Sequence, residues 1–508
     1  MLCRLLVLCA AALVLGPGCA TDDEAAPAAA PVQAGDDQEL IGADPLTKFA
    51  GVTELQSACP SPRNDDLCLA LNNGIRSQGA TAVAWFDKAR VAIANRIGSE
   101  NRESVVKDPA VRWWLRERSL ALQIWNHGTA RGLNAIDPSQ WRKTADAILA
   151  KNYPTYSPTA MPLARTWMPP VKKPATACAK ATEALLVFPG VVRLGPRQEF
   201  KEQIAQIQAA FPCLAVRRVE SGSFVSPAVN ANKALEAVLQ IDKEFGGIPL
   251  HMIGYSQGSA NALRTLATFP NIAARTKSLL TLNSAARGTE FADTFAVAID
   301  HIDKKATCLS FPSFARPLCN AIAGISVQPG WLVSNALALA AGVPVTELQA
   351  FFAAEDKIAP APSLKHFLIG HLPGVRSLTT IDANKFWTEM GGKLPKHVTY
   401  HSFRSVITKP FSNLPPSNAL IHALLNIAGG KNPYNDMQVR LQNQSLGGPI
   451  ADQEVVGRVA EGNHWQWELS PGDVPDAVMS EKMIADMPRN GLLLGHLQAL
   501  AEVGIVGR

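Results

Sequence analysis

From Ala184 to Leu282 the chain alternates short apolar runs with helix-length stretches, and this rhythm restricts the fold more than any other feature. Ala184-Leu185-Leu186-Val187-Phe188 ends at Pro189-Gly190; Cys213 to Val219, Leu250 to Ile253 and Ser278 to Leu282 are further runs. Between them lie the helix-like stretches Gln198 to Ala210 and Asn230 to Phe245, the second stopped by Gly246-Gly247, and another after Ser256. Continuously apolar strands are buried on both faces, and parallel neighbours need a crossover between them. The pattern therefore predicts an α/β fold, a mostly parallel sheet with helices on both faces. Thr399 to Val406 alternates like a later strand of the same sheet.

Gly254-Tyr255-Ser256-Gln257-Gly258 falls between the Leu250 to Ile253 run and the helix opening near Ser259. A G-x-S-x-G string alone is common, but strand before and helix after is the setting of a nucleophile elbow. Ser256 would sit on a sharp, strained turn, with Gly254 and Gly258 small enough to avoid clashing with each other. The helix behind it aims its first amides at the serine. A glycine-rich turn without chemistry is the competing reading. A serine hydroxyl needs a base, usually histidine, oriented by a carboxylate, and on such an elbow the chain order is Ser, Asp or Glu, His. Of the ten histidines, His464 and His496 lie far enough along. His496 belongs to the helical apolar pattern Leu492 to Leu500, a packed or surface position, whereas His464 occupies the polar loop Glu461-Gly462-Asn463-His464-Trp465 after the apolar stretch Val455 to Ala460. His464 is assigned as base. Asp436, in the turn-rich Asn432-Pro433-Tyr434-Asn435-Asp436, is the first choice of acid and Asp452 the reserve; an Asx turn would use the same residues. The oxyanion hole would combine the Gln257 N–H with an N–H of Gly190 or Val191.

These residues resemble the bacterial triacylglycerol lipases and related esterases of the α/β-hydrolase superfamily. Gly254-Tyr255-Ser256-Gln257-Gly258 is similar to their elbow and to that of cutinases, which also favour Gln after the serine. Thr281-Leu282-Asn283-Ser284-Ala285-Ala286-Arg287-Gly288 resembles the lipase segment after the next strand, and Asn435-Asp436 and Asn463-His464-Trp465 resemble the acid and base loops. The likeness runs in patches from Cys178 to Pro471. It implies an α/β-hydrolase fold and a Ser256, Asp436, His464 triad. Two departures stand out: Phe188-Pro189-Gly190 where the family has His-Gly, and Ala285-Ala286 in place of Pro-His. Acyl preference therefore does not carry over. Some relatives hold a structural calcium; no ligand set for one is found here, so no metal and no cofactor is expected.

Around this core the chain divides into four parts. Residues 1–20 read as a signal peptide, with Arg4 before the apolar run Leu5 to Leu15 and small residues after it. Leu15-Gly16-Pro17-Gly18-Cys19 resembles a lipobox with its Leu displaced by one, making Cys19 a lipidation site; Gly18-Cys19-Ala20 also passes as an ordinary cleavage site. The Ala-, Pro- and acid-rich residues 21–45 read as a flexible tether and favour the lipoprotein. Residues 46–175 read as an N-terminal helical region with Trp113, Trp114 and Trp125 in its core, closed by a connector with six prolines between Tyr153 and Pro174. Residues 176–508 would be the hydrolase domain, with a helical cap or lid inserted at about 291–395. Within that insertion the apolar stretch Trp331 to Val345 would either cover the serine in water or pack on the core.

Cysteine usage agrees with export. Apart from Cys3, Cys9 and Cys19, six cysteines fall as sequence neighbours: Cys59 with Cys68, Cys178 with Cys213, and Cys308 with Cys319. Six allow fifteen connectivities, and the local pairs are the expectation. No later stretch of about eighteen apolar residues suggests a membrane span. A net charge of +5, without a run of five Lys or Arg, excludes a nucleic-acid footprint. The expectation is an exported serine hydrolase of carboxylic esters, acting on lipid or other acyl esters, either anchored to a membrane through a lipidated Cys19 or secreted. The alternatives are a thioesterase or amidase on the same triad, or an inactive binding protein on a hydrolase scaffold. Oligomeric state is not legible.

Overall fold

The computed structural model describes residues 51–60, 65–130, 138–171, 178–190, 200–222, 225–293, 296, 373–408, 422, 434–468 and 487–507. The expected leader with Cys19, the expected tether, Val191, the expected pair Cys308 and Cys319, the stretch Trp331 to Val345 and most of the expected cap lie outside them.

The first third of the described chain is helical: α1 (Gly51–Ala58), α2 (Asp66–Arg76), α3 (Gly79–Ser99), α4 (Arg102–Lys107), α5 (Pro109–Ala130) and α6 (Pro138–Asn152). Strand and helix then alternate through β1 (Glu183–Phe188), α7 (Lys201–Ala210), β2 (Leu214–Arg218), α8 (Pro227–Phe245), β3 (Leu250–Tyr255), α9 (Gln257–Thr268), α10 (Pro270–Arg275) and β4 (Thr276–Leu282). After α11 (Thr380–Met390) come β5 (Thr399–Val406), β6 (Glu454–Glu461) and α12 (Leu492–Glu502). The six strands form one sheet in the order β2-β1-β3-β4-β5-β6, and every neighbouring pair is parallel.

Both faces of the sheet are buried, and the period of two in each strand divides its side chains between them. Leu185 and Val187 of β1 join one core with Ile253, Tyr255, Leu280 and Phe403. Ala184, Leu186 and Phe188 join the opposite core with Met252 and Leu279. Ala234, Val238, Ala262 and Leu266 of α8 and α9 cover the second face. The first is covered by Ile207 of α7, Trp114 of α5, and Leu493, Leu497 and Leu500 of α12. The N-terminal helices and the sheet thus share one apolar core, a union that the sequence pattern does not show.

Helix α5 buries residues around most of its circumference, including Glu117 and Arg118, and burial of charge is tolerated only with partners. Arg118 donates to both carboxylate oxygens of Glu502 on α12, each at 2.7 Å, and to the carbonyls of Met168 and Pro169. Glu117 accepts from Arg458 of β6 at 2.6 and 2.9 Å. Disulfides join Cys59 to Cys68 and Cys178 to Cys213. Among the described residues no helix is long and apolar enough to cross a membrane.

Strand order positions the site. From β1 the chain passes to β2 on one side, and β3 then pairs on the other side of β1. The helices that follow β1 and β3 lie on opposite faces, α7 with the first core and α9 with the second. In an open parallel sheet a crevice lies at the carboxyl ends of two such strands.

Candidate active site

Ser256 occupies the turn between β3 and α9 with φ 51° and ψ −121°, a backbone conformation that costs a non-glycine residue strain. The surrounding structure holds it there. Ser256 N–H donates to Leu282 O at 2.9 Å, Ser256 O accepts from the amides of Ser259 and Ala285, and the Ser259 hydroxyl donates to Gly254 O. The glycines serve the turn in different ways. A Cβ on Gly254 would come within 2.8 Å of Gly258 O and Ser259 N, the clash that the sequence argument foresees. A Cβ on Gly258 would instead meet Phe188 O at 2.2 Å and Pro189 O at 2.6 Å. The second glycine is therefore required by the close approach of α9 to the end of β1, not by the first glycine.

His464 and Asp436 come to Ser256 from loops far along the chain. His464 Nε2 lies 2.8 Å from Ser256 Oγ, and Nδ1 lies 2.7 Å from Asp436 Oδ2. An ionised carboxylate only accepts, so Nδ1 carries the proton and Nε2 is left with its lone pair toward the serine hydroxyl. Asp436 is oriented by its own turn: Oδ1 accepts from the amides of Gln438 at 3.0 Å and Val439 at 2.7 Å, leaving Oδ2 for the imidazole. Asx-turn geometry and a carboxylate facing His464 coexist in this one residue. His464 N–H donates to Asp436 O at 2.9 Å, tying the two loops through the backbone as well. Ser256, His464 and Asp436 are 4, 1 and 0% exposed, so the hydrogen bonds among them are shielded from competing water.

Gln257 is the first residue of α9, so its N–H has no carbonyl a turn earlier in the helix to bond. Gly190, on the loop after β1, approaches the serine: a Cβ there would lie 3.7 Å from Ser256 Cβ and 2.7 Å from Tyr255 Cε1. Both amide-bearing positions therefore flank Ser256. The Gln257 side chain is turned away to donate to Val225 O at 2.8 Å. The reserve acid Asp452 is exposed and pairs with Lys107, away from His464. His496 is buried on α12 with its ring 4.7 Å from that of His401.

Three side chains that the sequence reading passes over brace the base loop. Tyr255 Oη donates to His464 O at 3.0 Å, Asn283 Nδ2 donates to the same oxygen at 3.2 Å, and Asn463 Oδ1 accepts from the amides of Trp465 and Gln466. Tyr255 lies inside the five-residue motif, and Asn283 has the positive φ, 44°, that asparagine tolerates better than most residues. Among the described residues no group of three His, Cys, Asp or Glu side chains is placed to hold a metal ion.

A parallel sheet clothed on both faces, with a serine on a strained turn between its third strand and the next helix, is the α/β-hydrolase fold. No protein-family signature matches the chain, and no curated protein matches it. Among solved structures it is similar to a metagenomic carboxyl esterase, at 16% identity and a TM-score of 0.39 over 72% of this chain and 90% of that one. It is similar to a Bacillus licheniformis lipase in mature form, at 14% identity and 0.33 over 58% and 89%. It is also similar to EstA from Clostridium botulinum, at 13% identity and 0.35 over 70% and 98%. These likenesses are distant, and the reading of the site rests on its own geometry.

Proposed function

We propose that the chain is a serine hydrolase that cleaves carboxylic esters, lipid or other acyl esters, through an acyl-enzyme. The observation that carries this reading is the unbroken hydrogen-bond chain from Ser256 Oγ through the His464 ring to Asp436, set on a strained elbow. As the Ser256 oxygen attacks the ester carbonyl, His464 Nε2 takes its proton, and Asp436 stabilises the imidazolium that results. The Gln257 amide, with one from the Gly190 to Val191 loop, stabilises the oxyanion. His464 then protonates the departing alcohol, and water deacylates the serine by the same steps in reverse.

A fluorophosphonate probe tests this reading. It is expected to label the wild-type chain at Ser256 and to leave Ser256→Ala unlabelled, with hydrolysis of p-nitrophenyl acyl esters lost in parallel. Absence of labelling in folded protein would favour the non-catalytic scaffold, and turnover of thioesters or amides in preference to esters would reassign the substrate. Export is the matching proposal for location, supported by the two disulfides, since such bonds persist in oxidising compartments. Anchoring through a lipidated Cys19 predicts that the chain sediments with membranes and that Cys19→Ala moves it to the soluble fraction; unchanged fractionation would refute the anchor.

A further inference from the structure

Tyr255 touches both halves of the proposed catalytic apparatus. Its hydroxyl donates to the main-chain carbonyl of His464 at 3.0 Å, and its ring centroid stands 5.2 Å from that of His464. The same ring lies against Gly190, where a Cβ would come within 2.7 Å of it, so it also sets how closely the loop after β1 can approach the serine. Phe200 packs edge-on against its other side with centroids 6.0 Å apart, and Tyr255 is 4% exposed. Asn283 supplies the second donor to His464 O at 3.2 Å, while its own Oδ1 is fixed by the Ser405 hydroxyl at 3.0 Å.

The base sits on a loop with no strand or helix of its own, at a residue whose ring must meet two partners within about 0.5 Å. Loop backbones are the least rigid carriers of such groups. The carbonyl of His464 is gripped by two donors, one from the last residue of β3 and one from the residue after β4, both adjacent central strands of the sheet. The grip converts the position of a loop into that of the sheet core. We propose that Tyr255 and Asn283 form a positioning clamp that sets the His464 ring for proton transfer from Ser256, with the Tyr255 ring also setting the spacing of the oxyanion loop. This deepens the hydrolase reading above and rests on it for its kinetic consequences, while its geometric claim can be read without turnover.

The test separates hydroxyl from ring. Tyr255→Phe keeps the ring beside Gly190 and removes one donor; Asn283→Gly keeps the positive φ and removes the other. Each is expected to lower kcat by about tenfold with KM within about twofold, because a displaced base slows the chemical step more than binding. The double variant should fall by more than the product of the two, since either donor alone still holds the carbonyl in part. Proton NMR of the full chain supplies a readout independent of activity: the low-field resonance of the His464 to Asp436 hydrogen bond, assigned by its loss in His464→Ala, should broaden in each single variant and vanish in the double. If folded Tyr255→Phe and Asn283→Gly keep both wild-type kcat and the unbroadened resonance, the clamp is refuted even though the hydrolase reading stands. If the wild type turns over no acyl compound, the hydrolase reading fails, and the resonance alone decides the clamp.

Discussion

Ser256 stands at φ 51° because the backbone around it is already committed: its own amide to Leu282, its carbonyl to Ser259 and Ala285, and the two glycines to contacts that a methyl group would break. In the proposed mechanism the chemistry falls on the Ser256 hydroxyl, and a histidine with its Nδ1 proton held by Asp436 would give that oxygen its base. Asp436→Asn is therefore expected to leave the fold intact and to lower kcat by about 10³–10⁴, because an amide can present its NH₂ to Nδ1 and so trap the imidazole in the tautomer that cannot accept from serine. Activity in Asp436→Asn within tenfold of wild type would remove this carboxylate from the mechanism. At this scale the sequence is informative where the signal is local. The elbow is five consecutive residues, the order of acid and base along the chain narrows ten histidines to two, and a polar loop separates His464 from His496. Tyr255, Asn283 and Asn463 escape notice because their partners are 209, 181 and 2 to 3 residues away respectively. The first two pairings exist only after the sheet has formed, and the third reads as an ordinary turn beside His464.

Elements are legible to the extent that their apolar period is self-sufficient. Strands β1, β3, β4 and β5 fall within two residues of the runs read from sequence, and α8 starts three residues earlier than expected because Pro227 is at home in a first helical turn. What the period cannot convey is the destination of a helix that is apolar nearly all round. Helix α5 reads as the core of an N-terminal helical region; in the structure it lies between that region and the sheet, bolted to α12 by Arg118 and Glu502 and to β6 by Glu117 and Arg458. The two partners of each pair are more than three hundred residues apart. Removing one side of such a pair strands a buried charge, so Glu502→Gln is expected to cost about 3–5 kcal/mol, read as a shift in the urea midpoint. A double change of Arg118 and Glu502 to Met and Leu should recover much of that loss. If Glu502→Gln costs less than about 1 kcal/mol, the pair does not fasten α12 to α5.

For the whole molecule, the joining of N-terminal helices, sheet and C-terminal helix around one core places three histidines in surroundings that resist charge. Burial, reinforced by the Arg116 cation, holds His401 down at about 3; burial, reinforced by His401 and His251, holds His496 well below the ordinary histidine range; and burial also lowers His251 despite its contact with Glu183. The sign of the consequence follows from the protons each state binds. Below about pH 6.5 the unfolded chain protonates these rings more readily than the folded chain does, so stability is fully present above that pH and declines below it, for His401 down to about 3. Each histidine that stays neutral in the folded state contributes a slope of about 1.4 kcal/mol per pH unit inside that window. Urea unfolding of the wild type is expected to show this decline, and His401→Leu should flatten it by one proton while leaving stability above pH 7 nearly unchanged, since the neutral ring there donates no charge to its surroundings. His496 loses a ring contact in that variant, so the comparison is made on the slope against pH and not on the absolute midpoint. An unaltered slope in His401→Leu would mean that the ring is solvated or already protonated in the folded chain, and the burial that holds it neutral would have to be given up.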